Sequence, residues 1–480
     1  MNQEIELKLE LPREAVEAFE QSSLIPDPGE RAELSAIYFD TPDRLLRRQG
    51  YSLRIRRSGA KRVQTVKADS AEGGGGLFAR GEWEMPVADD RPVIDTRTPL
   101  AAALGDAAES IEPIFHVDVE RRTWILEEQS GRAEMVLDKG FIRAGEREAP
   151  ICEIELELKA GDPSALFALA RRIEGVAPIR LGVAAKAERG YRLLDAAPVS
   201  FKAEPVDLKP GSDPRQAFRT IVRACVRHYR LNEALLIDHY DPQALHQARV
   251  AIRRLRSALT LFKPMLEAQQ VVRFQDELRW LAQLMGEARD LDVLVEGVGQ
   301  GDLHEQIEAV RDRVHADVLE ALGSRRVRGL MIDVAEWLTL DAARESDSGS
   351  ADAFAADRLQ HVYQWVVKHG RHMTKLDDEH RHAVRKKAKK LRYASEFFAG
   401  LFSETKKGRK RHAHFIDALE ALQDKLGALN DRVSRPELLK RHGFDMSKQP
   451  DAFGGKGRKK LIAGAAKAHA DLADVATFWR

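Results

Sequence analysis

The chain has 480 residues, enough for two domains of ordinary size, and its 77 Lys plus Arg stand against 76 Asp plus Glu for a net charge of +1. That balance excludes a uniformly basic polymer binder, so any anion site must come from charge concentrated locally. Cys152 and Cys225 fall in different halves, which argues against a disulfide framework, and no apolar run approaches the ~20 residues of a membrane helix. With a first strand starting too near Met1 to leave room for a signal peptide, the expectation is a soluble cytoplasmic protein.

The first element is the strand Glu4-Ile5-Glu6-Leu7-Lys8. A strand has a period of two, so Glu4, Glu6 and Lys8 share one face while Ile5, Leu7 and Leu9 share the other. The same alternation recurs in Leu53-Arg54-Ile55-Arg56, in Val63-Gln64-Thr65-Val66-Lys67, in Glu82-Trp83-Glu84-Met85 and in Cys152-Glu153-Ile154-Glu155-Leu156-Glu157-Leu158-Lys159. One such strand is ordinarily a surface strand with a wet face. Their recurrence favours an antiparallel sheet closed on itself, with charged faces converging on a lumen and apolar outer faces covered by helices. Clustered cations and clustered carboxylates both need a bound species there, and a polyphosphate anion with a hard divalent metal satisfies both. The four glycines at 73–76 have no following Lys-Ser/Thr, so they are expected to be a hairpin connection rather than a phosphate loop.

Glu4-x-Glu6-x-Lys8, followed in order by Tyr38-Phe39-Asp40-Thr41-Pro42-Asp43, Leu53-Arg54-Ile55-Arg56, Lys67, Glu82-x-Glu84, Arg121, Asp138, Glu153-x-Glu155 and Lys186-Ala187-Glu188-Arg189-Gly190-Tyr191, resembles the CYTH, or triphosphate tunnel metalloenzyme, family. The resemblance covers residues 1–200 and implies an eight-stranded antiparallel tunnel that acts on triphosphate compounds with Mg2+ or Mn2+. It implies Glu4, Glu6, Asp138, Glu153 and Glu155 as metal ligands, and Lys8, Arg54, Arg56, Lys67, Arg121 and Lys186 as triphosphate ligands. Catalysis is expected from a second metal or a carboxylate, Glu4 or Glu6 leading, as the group that orients and deprotonates water, and from Lys8 or Lys186 as the group that neutralises departing pyrophosphate. Glu82 and Glu84 are equally suited to touching metal or fixing the basic residues, and Glu157 is an acid beyond the usual pair. Without an aromatic platform facing the lumen, inorganic tripolyphosphate is favoured over a nucleotide.

Residues 196–214 hold four prolines and a glycine without a clear period, and 201–214 is expected to be a linker. Beyond it the period turns helical, with Phe218, Ile221, Val222, Cys225, Val226 and Tyr229 at spacings of three and four. This half, 215–480, carries an internal repeat: the basic run from His246 through Arg256 matches that from His382 through Arg392 at an offset of 136 residues. Arg289-Asp290 and Asn430-Asp431 follow each copy at a similar distance. Two repeated helical bundles are the economical explanation, making the whole chain α+β, with a β tunnel followed by an all-α domain.

Within each copy, His246, Arg249, Arg253 and Arg256, and likewise His382, Arg385, Lys389 and Arg392, fall at i, i+3, i+7 and i+10 on one helical stripe. Facing stripes across a pseudo-dyad would form a basic channel. Residues 381–411 contain twelve Lys or Arg and two acids, a focus of positive charge in a nearly neutral chain. These eight stripe positions carry a resemblance to the CHAD domain, a helical family often joined to CYTH and implicated in binding inorganic polyphosphate. Nucleic acid fits less well, because single-strand binding adds aromatic stacking and Tyr393 is the one aromatic neighbour of the stripe. His369, His372, His380, His382, His412 and His414 lack an HExxH pattern or a Cys partner and are expected to be surface or phosphate-contacting histidines.

The reading is a metal-dependent inorganic triphosphatase that cleaves tripolyphosphate to pyrophosphate and orthophosphate, joined to a polyphosphate-binding module. It suggests a cytoplasmic location in association with polyphosphate granules. The alternatives are a polyphosphate-binding scaffold without catalysis, and thiamine triphosphate hydrolysis or adenylate cyclisation in the same tunnel.

Overall fold

A computed structural model describes residues 5–26, 28–68, 77–78, 81–341, 349–444 and 457–480. Glu4 and the glycines at 73–76 lie outside the described residues. The chain divides into two compact units, Met1–Phe201 with Gly323–Arg344, and Lys202–Leu322 with Glu345–Arg480.

The first unit is built on strands β1 (Glu6–Glu10), β2 (Glu30–Asp40), β3 (Tyr51–Ser58), β4 (Lys61–Ala68), β5 (Leu77–Phe78), β6 (Glu82–Pro86), β7 (Glu112–Glu128), β8 (Gly131–Ala144), β9 (Arg147–Gly161) and β10 (Arg180–Leu181). They form one antiparallel sheet in the order β10-β1-β9-β8-β7-β2-β3-β4-β6, with β5 on β1. The expected eight strands are therefore ten, and the path is open: among the described residues no ladder joins β1 to β6. The second edge of β1 is shared by two short strands, β5 opposite Glu6 and Leu7, and β10 opposite Leu9 and Glu10. Two-residue strands carry no periodicity, which is why the sequence pattern gives no sign of them.

Alternation places Leu7, Leu9, Ile154 and Leu156 on a buried outer face and Glu6, Lys8 and Glu155 on the inner one. Helices α1 (Val16–Glu20), α2 (Leu45–Arg48), α3 (Leu100–Leu104) and α4 (Ser164–Glu174) accompany this sheet. The pair α2 and α3 covers Phe39, Leu53, Ile55 and Val66, and α4 lies on β7, β8 and β9 through Leu166, Phe167, Leu169 and Ile173.

The inner face changes character along its length. Beyond the charged stretch, Leu34, Ala36, Tyr38, Phe115, Val117, Val119, Ile142 and Ile151 close into an apolar cluster with Tyr191 of α5 (Lys186–Leu193). Tyr38 stacks on Phe115 at 4.6 Å, and Tyr191 meets Phe115 edge-on at 5.3 Å. A Cβ at Gly190 would fall 2.2 Å from the Phe115 ring, so only glycine lets α5 settle this deeply. The Tyr191 hydroxyl donates to Asp40 at 2.6 Å, and Asp40, fully buried, also accepts the amides of Thr41, Leu46 and Arg47. The two motifs around Asp40 and Gly190 thus form a plug that closes one end of the charged stretch and seats the helix that carries Lys186.

The second unit contains α6 (Pro214–Asp238), α7 (Pro242–Phe262), α8 (Ala268–Gly297) and α9 (Asp302–Gly323), and then, after α10 (Arg325–Leu340) of the first unit, α11 (Ala351–Gly370), α12 (Asp378–Phe397), α13 (Lys406–Arg441) and α14 (Arg458–Asp474). Asp213 and Asp241 cap α6 and α7 ahead of a proline in the first turn, and Asp377 and Thr405 cap α12 and α13. Packing runs between α6 and α7, α7 and α8, α11 and α12, α12 and α13, and α13 and α14, while α7 against α12 and α8 against α13 join equivalent helices of the two repeats. Residues 202–213 run into this unit rather than standing clear of it, with Val206 and Leu208 buried. The segment 323–344, assigned by sequence to the helical half, groups instead with the first unit.

Candidate active site and a basic helix pair

Strand register sets the inner wall of the first unit row by row. Glu6 lies opposite Glu157, itself opposite Glu134; Lys8 opposite Glu155, itself opposite Val136; and Glu153 opposite Asp138, itself opposite Arg121. These rows, with β3, β4, β6 and α5, enclose a cavity of about 490 Å3. Lys8, Arg54, Arg56, Lys67, Arg121 and Lys186 all line it, together with Glu6, Glu82, Glu84, Glu134, Glu155 and Glu157. Asp138 and Glu153 stand behind this lining, 0% and 3% exposed.

The deep wall is an acidic triad. Ligand oxygens of Asp138, Glu153 and Glu155 lie within 4.8 Å of one another. The Lys186 ammonium sits among them, 2.7 Å from Asp138 and 3.0 Å from Glu155, and bonded also to Glu153. Arg121 donates to both Asp138 oxygens at 2.8 and 2.7 Å and reaches Glu155 at 3.2 Å. Lys8 bonds Glu155 and lies 3.0 Å from Glu6. Burial opposes the charge on Lys186, but Asp138, Glu153 and Glu155 outweigh it and hold the ammonium well above its ordinary range. Lys8 is raised in the same way, against burial, by Glu155 and Glu6. Glu155, despite burial, is held well below the carboxylate range by Lys186, Lys8 and Arg121.

On the opposite wall Lys67 pairs with Glu82 at 2.9 Å, and Glu84 accepts from the Thr65 hydroxyl at 3.0 Å and lies 3.8 Å from Arg56. Glu82 and Glu84 thus hold basic residues, and Glu157 is paired with Lys159 at 2.6 Å. Arg54 has no carboxylate within ion-pair distance among the described residues; its neighbour is the Tyr38 hydroxyl, and its Nε is buried without a hydrogen-bond partner. Tyr38, Ser52, Thr65 and Glu134 line the cavity without having been singled out in the sequence. Glu134 keeps period-two step with Asp138 and was legible there; Tyr38 stood inside the quoted motif, but nothing in the pattern marked its hydroxyl as the one that meets Arg54.

The three acidic side chains are hard oxygen donors spaced to surround one small cation, and a cationic group of the chain already stands at that point. The donor set therefore fits a hard divalent cation.

In the second unit, the stripes of α7 and α12 come together. Lys389 lies close enough to Arg253, Arg385, Arg249 and Arg392 that, after burial, their charges push its pKa down to about 6. Burial and then Arg289, Arg249 and Arg253 depress His246 to about 4. Burial lowers Arg249 and Arg385 as well. The carboxylate nearest Arg249, Asp290, is 4.0 Å away, and the Nε atoms of Arg249, Arg256, Arg385 and Arg392 are buried without a hydrogen-bond partner among the described residues. His382 bonds Asn430 at 2.5 Å, whereas the equivalent place beside His246 is taken by Arg289, a cation the stripe pattern did not include. Arg392 departs from its neighbours by pairing with Glu420 at 3.2 Å and Glu396 at 3.5 Å. Tyr393 is 2% exposed and packed among Arg253, Arg254 and Arg392, so its faces are not open for stacking.

Comparison with known proteins agrees with the two halves in order. Residues 2–191 match the CYTH domain family and residues 220–440 match the CHAD domain family, so the chain is a CYTH domain followed by a CHAD domain. It is 34% identical over 202 residues to an inorganic triphosphatase of Haemophilus influenzae, a match that covers 40% of this chain and only 55% of that protein. A longer match, 26% identical over 426 residues and covering 76% of this chain and 75% of the relative, is to an uncharacterised protein of Mycobacterium tuberculosis. Among solved structures, the CHAD domain of the plant Ricinus communis is 29% identical and covers 57% of this chain and 91% of its own, with a TM-score of 0.46. Among the described residues no helix is long and apolar enough to cross a membrane.

Proposed function

We propose that the first unit hydrolyses inorganic tripolyphosphate to pyrophosphate and orthophosphate, and that the second binds inorganic polyphosphate through α7 and α12. What carries the first reading is the convergence of six cationic side chains on a single cavity whose deep wall is a buried carboxylate triad. Phosphoryl transfer asks little covalent help of a protein, and positioning with charge neutralisation supplies most of the rate. Asp138, Glu153 and Glu155, with Glu6, would hold Mg2+ or Mn2+, which when bound supplies neutralisation of phosphate oxygens. Arg54, Arg56, Lys67 and Arg121 bind and orient the chain of phosphates, Arg54 first because among the described residues no carboxylate lies within ion-pair distance of it. Glu6, beside Lys8, takes the proton of the attacking water, and Glu4 is its alternate by sequence. Water adds to the terminal phosphorus, the anhydride bond breaks, and Lys8 and Lys186 neutralise the pyrophosphate that leaves. Tyr38 is the aromatic side chain of the lining, and its ring is committed to Phe115, which supports an inorganic substrate over one needing a stacked base.

The test is phosphate release from tripolyphosphate, ATP, thiamine triphosphate and long-chain polyphosphate, with Mg2+, with Mn2+ and with chelator. Metal-dependent release from tripolyphosphate that Glu155→Gln abolishes is the expected result. Retained polyphosphate binding with no hydrolysis of any substrate would replace this reading with a binding scaffold.

A further inference from the structure

Helix α10 stands in the sequence between the two helical repeats, yet it packs within the first unit, on α4 and β10. Its anchor is Arg328, whose Nε and Nη2 donate to the Glu174 carboxylate at 3.0 and 2.7 Å, the two side chains being 10% and 4% exposed. Arg171 of α4 adds an exposed pair to Asp333 at 2.9 Å. Glu174 also holds the chain beyond its own helix, since its Oε2 accepts the backbone amide of Ile179 at 3.2 Å.

Ile179 leads directly into β10, where Leu181 pairs with Leu9 and Arg180 with Glu10. The Gly182 amide donates to the Lys8 carbonyl at 2.8 Å, and a Cβ on Gly182 would stand 3.1 Å from the Lys8 Cβ. The segment is thus seated on the backbone of Lys8, and four residues later it delivers Lys186 into the acidic triad.

We propose that Arg328 and Glu174 are positioning residues for the tunnel: α10, a helix supplied from within the helical half of the sequence, braces the 174–186 segment and so aligns Lys8 and Lys186. A two-pronged guanidinium–carboxylate contact in a buried place fixes direction as well as distance, which is what such a brace requires. The kinetic part of this inference rests on the triphosphatase reading; the structural part does not.

The test uses the full chain with Arg328→Lys, which keeps the charge and gives up the fork, Arg328→Met, and the double variant Glu174→Gln/Arg328→Met, which leaves no lone buried charge. Hydrogen exchange of the 179–182 amides should quicken about tenfold in Arg328→Met while α7 and α12 stay unchanged. The KM for tripolyphosphate should rise about fivefold in Arg328→Met and less in Arg328→Lys, because misplaced phosphate ligands weaken the grip, whereas simple loss of folded molecules lowers kcat and leaves KM alone. The double variant should regain melting temperature without regaining KM. If it regains both, or if Arg328→Met matches the wild type in exchange and KM, the brace is wrong. Should the wild type cleave no tripolyphosphate, the functional reading fails, and the exchange data alone decide the brace.

Discussion

Lys389 turns the proposed polyphosphate site into a proton-coupled one. Its ordinary value of 10.5 is pushed down to about 6 by burial and by Arg253, Arg385, Arg249 and Arg392. At pH 8 only about one molecule in a hundred of the empty protein then carries that proton, and restoring it costs about 2.7 kcal/mol at 1.36 kcal/mol per unit. A polyanion lying between the two stripes reverses the potential at Lys389 and favours its charged form. The bound state therefore holds more protons than the free state, so affinity falls as pH rises, by about tenfold per unit between pH 7 and 9, and levels off below about pH 6. His246, already down at about 4, does not disturb that window from the free side. Titration calorimetry at fixed ionic strength, in buffers of different ionisation enthalpy, should give uptake of about one proton per site at pH 8. Lys389→Arg, which places in the second stripe the residue that Arg253 supplies in the first, should abolish the pH slope and bind up to about 100-fold tighter than wild type at pH 8. Zero proton uptake by the wild type, or an arginine variant that binds no tighter at pH 8, would refute the reasoning.

Lys186→Met removes the cation from among Asp138, Glu153 and Glu155; it should cost roughly 3–5 kcal/mol in chelator, and Mn2+ should raise its melting temperature by more than it raises that of the wild type, as followed by calorimetry. Tyr191→Phe deletes the hydroxyl that reaches buried Asp40 and should destabilise the chain by about 1–3 kcal/mol in urea denaturation, while Gly190→Ala, which drives a methyl into Phe115, should do more harm than its size suggests. Chelator should abolish tripolyphosphate binding by the tunnel and leave long-chain polyphosphate binding intact in filter or calorimetric assays, with a steep salt dependence that flattens when Arg249, Arg253, Arg385 and Lys389 become alanine.

The sequence was most legible where periodicity and chemistry agreed. Period two put Glu6, Lys8, Glu153 and Glu155 on one inner face, and the i, i+3, i+7, i+10 spacing put His246, Arg249, Arg253 and Arg256 on one helical stripe. What escaped it has physical reasons. Strands β5 and β10 are too short to show a period, and their pairing is dictated by the free edge of β1. The inner face also switches from charged to apolar partway along β2, β7 and β8, a change that makes sense only once Tyr191 and Phe115 are seen to fill that end. Helix α10 carried no mark of its destination, because an amphipathic pattern states that a face is buried and not what buries it.

The two sites manage charge in opposite ways. In the tunnel, eight carboxylates of the lining and the deep triad face six lysines and arginines, and every cation but Arg54 already has a carboxylate partner among the described residues. A highly charged triphosphate entering that acid-rich set would meet at least as much repulsion as attraction unless it brought positive charge with it, which is the physical ground for the metal requirement of the proposed reaction. Between α7 and α12 the balance is broken the other way: guanidinium groups crowd together, Asp290 stands 4.0 Å from Arg249, and burial with the neighbouring arginines pushes Lys389 down to about 6. In the proposed polyphosphate site that crowding is relieved by the polyanion itself, so its binding is expected to need no metal.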